Sequence, residues 1–230
     1  MCLIRPIREV CDSESVTPTM AHPSASAHTS DLLARARQVI EREAQAVHAL
    51  ADQLDESLVR VVDLLLHCRG HVLVTGAGTS QALARRFAHL LSCSGTPALP
   101  FDASDGLHGG AGAITPDDVL FVISKGGQSA EINQLVEIAR QRGARIVAQT
   151  EAPESPLGQM SDAIFPVRAS AEVDPYGMIA TGSSLVNGAA GDVLCVLLLE
   201  LRGYSLADFG QTHPGGAVGQ KLAQAEEKQP

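Results

Sequence analysis

Two short segments of this 230-residue chain carry the residue types that hold a small anion: Gly76-Ala77-Gly78-Thr79-Ser80 and Ser124-Lys125-Gly126-Gly127-Gln128-Ser129. Glycine lets backbone N–H groups approach a ligand closely, and hydroxyls add donors without bulk. A third cluster, Thr181-Gly182-Ser183-Ser184, has the same composition. Each stands before a stretch of helical spacing, where free N–H groups and the helix dipole point at an anion. Glycine and serine also make plain turns, so the weight lies in finding three such loops on one chain. Three further side chains could move protons. His108 lies in Asp105-Gly106-Leu107-His108-Gly109-Gly110 and His213 in Thr212-His213-Pro214-Gly215-Gly216. Histidine titrates near neutral pH, which makes each a candidate by type, yet both also read as an ordinary loop histidine and a helix-start residue. Glu172 lies in Ala171-Glu172-Val173-Asp174-Pro175, where a solvated carboxylate is the default.

Two other constellations are weaker. Gly76-Ala77-Gly78-Thr79-Ser80-Gln81 resembles a dinucleotide fingerprint, and Asp102 sits near where a ribose-binding acid would lie. Gln81, however, replaces the third small residue that lets helix and strand pack closely. The compact second loop fits a single phosphate ester better than NAD. His67-Cys68-Arg69-Gly70-His71 suggests a metal site, but no second ligand pair occurs at zinc spacing, so a packing role at a helix–strand junction is expected. No cofactor and no metal are expected.

These loops need a scaffold, and the hydrophobic pattern supplies one. Short, continuous apolar runs at 71–75, 98–101, 119–124, 145–150 and 163–167 read as strands. Continuity rather than alternation means burial on both faces, and hence a parallel sheet. Helices are expected between them, from about Gln81 and up to Arg142, with two more at about 31–50 and 57–68 and a long one at about 183–201. Leu33, Ala36, Ile40, Val47 and Leu50 form one stripe of the first. Gly70, Gly95 and Gly143 stand where left-handed helix ends are needed. The fold expected is a doubly wound α/β domain: a five-stranded parallel sheet flanked by helices, in the flavodoxin-like three-layer arrangement. Ligands in such sheets sit outside the carboxyl ends of the strands. Residues 31–230 read as one domain, and the Ser-, Thr- and Pro-rich stretch 1–30 as a disordered leader.

Composition excludes other classes. Net charge is −9, aromatics are 3% and tryptophan is absent. That leaves neither the basic patch nor the stacking platforms of nucleic-acid binding. Five scattered cysteines do not form a disulfide framework. The N-terminus lacks a signal-peptide core, and the longest purely apolar run, 193–199, is far shorter than the roughly 20 residues of a bilayer span. A cytoplasmic protein with no membrane partner is expected.

In this order, the loops resemble the sugar isomerase (SIS) domain, and within it the arabinose 5-phosphate isomerase family. The resemblance covers about residues 35–222. Its most specific element is Gly203-Tyr204-Ser205-Leu206-Ala207-Asp208-Phe209-Gly210-Gln211-Thr212-His213-Pro214-Gly215-Gly216-Ala217-Val218-Gly219, similar to that family's RGF…DF…SHPGGALGR signature. Ser94-Gly95-Thr96-Pro97, Leu107-His108-Gly109, Ile114-Thr115-Pro116-Asp117-Asp118-Val119 and Pro153-Glu154-Ser155 also match in register.

The resemblance implies aldose–ketose isomerisation of a phosphorylated monosaccharide through an enediol, without metal or redox cofactor. Such chemistry needs a carboxylate base, an acid–base group for ring opening and oxygen protonation, and donors for the developing oxyanion. Family acid–base positions fall on Glu172, His108 and His213. Phosphate-binding hydroxyls fall on Ser80, Ser124, Ser129, Ser183 and Ser184, with Gly78, Thr79, Lys125, Gln128 and Thr181 in the same loops. Two positions depart from the family. Thr79 stands where its first loop carries lysine, and Ser124-Lys125-Gly126-Gly127-Gln128 where its second reads Ser-Asn-Ser-Gly-Glu. Lys125 is a candidate to restore the lost positive charge. The departures keep open an alternative, a phosphosugar-binding sensor that has lost turnover. The resemblance further implies a homodimer or homotetramer, and a chain without the CBS pair of longer relatives.

Overall fold

The computed structural model describes residues 29–169, 172–215 and Gly219. The expected leader lies outside them up to His28. The chain divides into two units, residues 1–37 and 38–230, and the second holds the whole sheet.

Five parallel strands form that sheet in the order β2-β1-β3-β4-β5. They are β1 (Val72–Gly76), β2 (Ala98–Pro100), β3 (Val119–Ile123), β4 (Arg145–Thr150) and β5 (Ala163–Pro166). Every strand predicted from its apolar run is present, to within about a residue at each end. Continuous burial has the expected cause: successive residues feed opposite faces. Val72, Val74, Phe121, Ile123, Val147 and Phe165 pack on one side against α2 (Glu56–Leu66), α3 (Thr79–Cys93) and α7 (Gly182–Arg202). Leu73, Leu120, Val122, Ile146 and Ala148 pack on the other against α4 (Ala103–Leu107), α5 (Ala130–Gln141) and α6 (Pro156–Gln159).

Helix α1 runs Thr29–His48, earlier than its expected start, and α8 spans Leu206–Thr212. Of the stripe expected on α1, Leu50 is buried and Val47 packs against the core, whereas Ile40 is exposed. Gly95 and Gly143 take the left-handed conformation expected of them, at φ of 81° and 88°. Gly70 does not. It is glycine for space, because a Cβ there would run into the Asp118 carboxylate and the Asp117 backbone.

Helix α7 is apolar enough for its length to match a membrane-spanning segment by composition, with mean hydropathy 1.6 over its most apolar stretch. The seven-residue run seen in sequence is thus part of a longer apolar helix. Val186, Ala190, Leu194 and Leu198 are nonetheless buried in the core of the domain. The Arg86 guanidinium of α3 grips Asp192 of α7 through two bonds, of 2.8 and 2.9 Å. Leu185, Val196 and Leu201 remain exposed.

Candidate active site

Chain order reverses between β1 and β3, which lie side by side with Gly76 opposite Ile123. The loops leaving these two strands therefore emerge together at the carboxyl edge of the sheet, where doubly wound folds bind ligands. They are the two glycine-rich segments singled out in the sequence.

The first loop turns into α3 through Gly78, which has φ of 56° and no side chain to cap the helix. Thr79 and Ser80 form the first turn. Gln81 accepts a hydrogen bond from the Gly76 N–H at 3.1 Å, so its amide occupies the place where a dinucleotide fold needs close helix–strand packing. Asp102, the candidate ribose acid, instead caps α4 by accepting from Ser104 N–H at 2.9 Å.

The second loop leaves β3 at buried Ser124, whose N–H donates to Gln149 O at 3.0 Å. Gly127 takes φ of 62°, and a Cβ there would collide with Ser155. Gln128 is exposed. Ser129 occupies the N-cap position of α5, but its hydroxyl does not cap the helix. The starts of α3 and α5 thus both lack a side-chain cap.

The third cluster differs. The α7 start is occupied by Glu172, whose Oε2 accepts from the Ser183 N–H at 3.1 Å. Its Oε1 accepts from Lys125 Nζ at 3.3 Å. Only 6% of the Glu172 side chain is exposed, against 50% of that of Lys125. Burial acts to raise the Glu172 pKa. The hydrogen bonds from Ser183 and Lys125, with the charge of Lys125, outweigh it and hold the carboxyl below the ordinary glutamate value. Thr181 and Ser184 serve the loop itself. Thr181 Oγ1 accepts from Val173 N–H at 3.3 Å, and Ser184 Oγ donates to Thr181 O at 2.8 Å.

Three supporting groups were not singled out from the sequence. Arg42 reaches the Glu172 carbonyl at 3.4 Å. Asp174 gathers the N–H groups of Tyr176, Met178 and Ile179, which fixes the turn after Glu172. Fully buried Gln149 donates to the Asn187 side chain at 2.7 Å, and Asn187 donates to Ser183 O at 2.8 Å. The visible signals were an Asp-Pro turn start and a polar residue inside an apolar strand.

The histidines stand apart. His108 is exposed at the C-terminal end of α4. The His213 ring stacks on Phe209 with centroids 3.8 Å apart, and its Nδ1 lies 3.0 Å from Phe209 O. Thr212 Oγ1 lies 3.0 Å from the same nitrogen, so the ring is held on its Nδ1 side by Thr212 and Phe209. No hydrogen bond among the described residues joins either histidine to Glu172. Gly216, Ala217 and Val218 of the terminal motif lie outside the described residues. The His67 cluster packs at the opposite edge of the sheet, with Cys68 Sγ donating to Asp117 O at 3.5 Å. Among the described residues no three His, Cys, Asp or Glu side chains gather as a metal site.

A reversed-order parallel sheet, two uncapped helix starts at its switch point and a fixed carboxylate beside them define a doubly wound α/β domain with a candidate ligand site at the carboxyl edge of its sheet. The SIS domain model matches residues 64–197, and the chain belongs to that family. Arabinose 5-phosphate isomerase KdsD of Pseudomonas aeruginosa is 34% identical over 192 residues, 84% of this chain and 59% of that protein. Arabinose 5-phosphate isomerase KpsF of Escherichia coli is 33% identical, over 83% of this chain and 59% of its own length. The chain therefore spans 59% of the length of these curated relatives. Among solved structures, Escherichia coli CFT073 c3406 in complex with arabinose 5-phosphate aligns with a TM-score of 0.78 at 28% identity, over 81% of this chain and 99% of that one. The protein lmof2365_0531 of Listeria monocytogenes aligns with a TM-score of 0.79 at 33% identity, over 81% and 98%.

Proposed function

We propose that this chain is a cofactor-independent isomerase that interconverts an aldose phosphate and a ketose phosphate, with arabinose 5-phosphate as the substrate to test first. The carrying observation is the Glu172 carboxylate, held ionised by Ser183 and Lys125 at the sheet edge where the anion-type loops emerge. The names of the 33–34% identical relatives support the same reading.

In the reaction Glu172 takes the proton from the carbon beside the carbonyl of the open-chain sugar, leaving an enediolate. It returns that proton to the neighbouring carbon, so the carbonyl moves by one position with no net change in electrons. His213 and His108 are the groups we assign to ring opening and to protons moving between the two oxygens. Gly78, Thr79, Ser80, Ser124, Lys125, Gln128 and Ser129 supply phosphate and hydroxyl contacts, and Thr181, Ser183 and Ser184 hold the Glu172 segment in place. Incubation with a panel of pentose and hexose phosphates tests this: the matching ketose phosphate should form from at least one aldose phosphate. Tight binding without turnover of any member supports the sensor instead.

The same reading includes self-association and a cytoplasmic location. Exposed Leu185 and Val196 on α7, beside a groove of about 340 Å³ between α3 and α7, support a second copy as the covering partner. A monomer by light scattering contradicts that part. Unpaired thiols at Cys68, Cys93 and Cys195 support a reducing compartment.

A further inference from the structure

Within the segments 76–80, 124–129 and 172–184 there is one Lys or Arg, Lys125. A site for a phosphorylated ligand therefore has a single cation in its loops, and that cation is paired with the group assigned as base. The two demands compete. A carboxylate pinned by an ammonium is a weak proton acceptor, and an ammonium bound to a carboxylate is a weak phosphate ligand. The geometry allows exchange. Lys125 is half exposed on a loop with Gly126 and Gly127 behind it, whereas Glu172 is nearly covered and tied to α7 by the Ser183 N–H. Lysine reaches on a flexible four-carbon stem, so it is the partner able to move.

Resting on the anion-site reading above, we infer that Lys125 is a cation shared between two anions: it pairs with Glu172 in the free site and passes to the ligand's phosphate on binding, which frees the carboxylate to accept a proton. The other groups facing Glu172 stay in place. The Ser183 N–H of α7 holds Oε2, and Arg42 of α1 reaches the backbone carbonyl rather than the carboxylate. Asp174 is occupied by three N–H groups of its own turn. Departure of Lys125 leaves a buried carboxylate with only the neutral donors of Ser183, and its proton affinity rises.

Sulfate is the probe, because it mimics phosphate yet does not titrate between pH ~4 and ~6, where a carboxylate does. Calorimetric titration of the intact chain in two buffers of different ionisation enthalpy should show a proton taken up as sulfate binds. Lys125→Met should bind sulfate roughly 10- to 100-fold more weakly, with no uptake. Lys125→Arg should restore both. Glu172→Gln should bind at least as tightly as the intact chain without uptake, and this reading does not depend on whether Lys125→Met folds. Uptake-free binding by the intact chain, unchanged affinity in Lys125→Met, or no sulfate binding at all overturns the inference. Turnover of the panel of pentose and hexose phosphates is scored separately on the same preparations. Turnover without Lys125-dependent sulfate affinity removes the sharing alone; Lys125-dependent uptake without turnover removes the isomerase alone.

Discussion

The ammonium of Lys125 stands 3.3 Å from the carboxylate of Glu172, joining the loop after β3 to the segment that opens α7. Sequence separates the two by 47 positions, and the sheet edge brings them together. With Ser183 N–H on the other oxygen, the carboxylate is bound on both sides.

That arrangement fixes a pH dependence. A glutamate held below its ordinary pKa stays ionised as the pH falls through the usual glutamate range, so the acid limb of kcat/KM should lie below that range. The stability it contributes is present above the unfolded value and lost as the pH falls through the lowered one. Lys125→Met leaves burial less opposed and should move the limb to higher pH. A limb that does not move argues that Glu172 is not the titrating base.

The positioning of Ser183 leads to a second expectation. Gln149 is fully buried and tethers Asn187, which in turn holds the Ser183 carbonyl. Gln149→Leu keeps the volume and removes the tether, leaving Asn187 short of a partner. We expect a loss of about 1–3 kcal/mol in urea unfolding, and a fall of about 10-fold or more in kcat from misplacement of the first turn of α7. An unchanged kcat in a destabilised variant would assign Gln149 to packing alone.

Two glycines should separate conformational strain from lack of space. Gly78 and Gly127 both have positive φ, at 56° and 62°, but a Cβ on Gly78 meets nothing whereas one on Gly127 meets Ser155. Gly78→Ala should cost about 1–2 kcal/mol and Gly127→Ala about 1–3 kcal/mol more, both measured by chemical unfolding. Equal losses would mean that the loop before α5 yields freely.

At the opposite edge Asp118 is buried and accepts from His71 N–H at 2.7 Å, and from Thr115 N–H and Oγ1 at 2.7 and 2.9 Å. Burial acts to raise its pKa, and these bonds more than offset it. Asp118→Ala strands both N–H groups and should cost about 2–4 kcal/mol. Because the folded pKa is lowered, the contribution of Asp118 is lost as the pH falls below about 4, and Asp118→Asn should flatten the stability profile there. Differential scanning calorimetry across that range checks both.

Much of this was legible in the chain. Parallel strands buried on both faces announce themselves as unbroken apolar runs, and all five fell where β1–β5 lie. The loops after β1 and β3 were visible because glycine and hydroxyls cluster there. Long-range pairings were not. Nothing local tells that Glu172 closes the start of α7, so the Thr181–Ser184 cluster read as one more open anion loop. Gly70 read as a left-handed cap because its position suits one, whereas the constraint comes from Asp118, distant in sequence. Gln149 was passed over inside an apolar strand, since its partner lies on a helix 38 positions away.

The most direct test of the account tracks one proton. Arabinose 5-phosphate is incubated in deuterated water with the intact chain and with Glu172→Gln, and deuterium at the carbon beside the carbonyl is read by NMR alongside formation of the ketose phosphate. Exchange and isomerisation by the intact chain, both reduced by at least ~1000-fold in Glu172→Gln, are the result expected when a general base is removed. Exchange that survives in Glu172→Gln at the intact rate would contradict the assignment of Glu172 as the base.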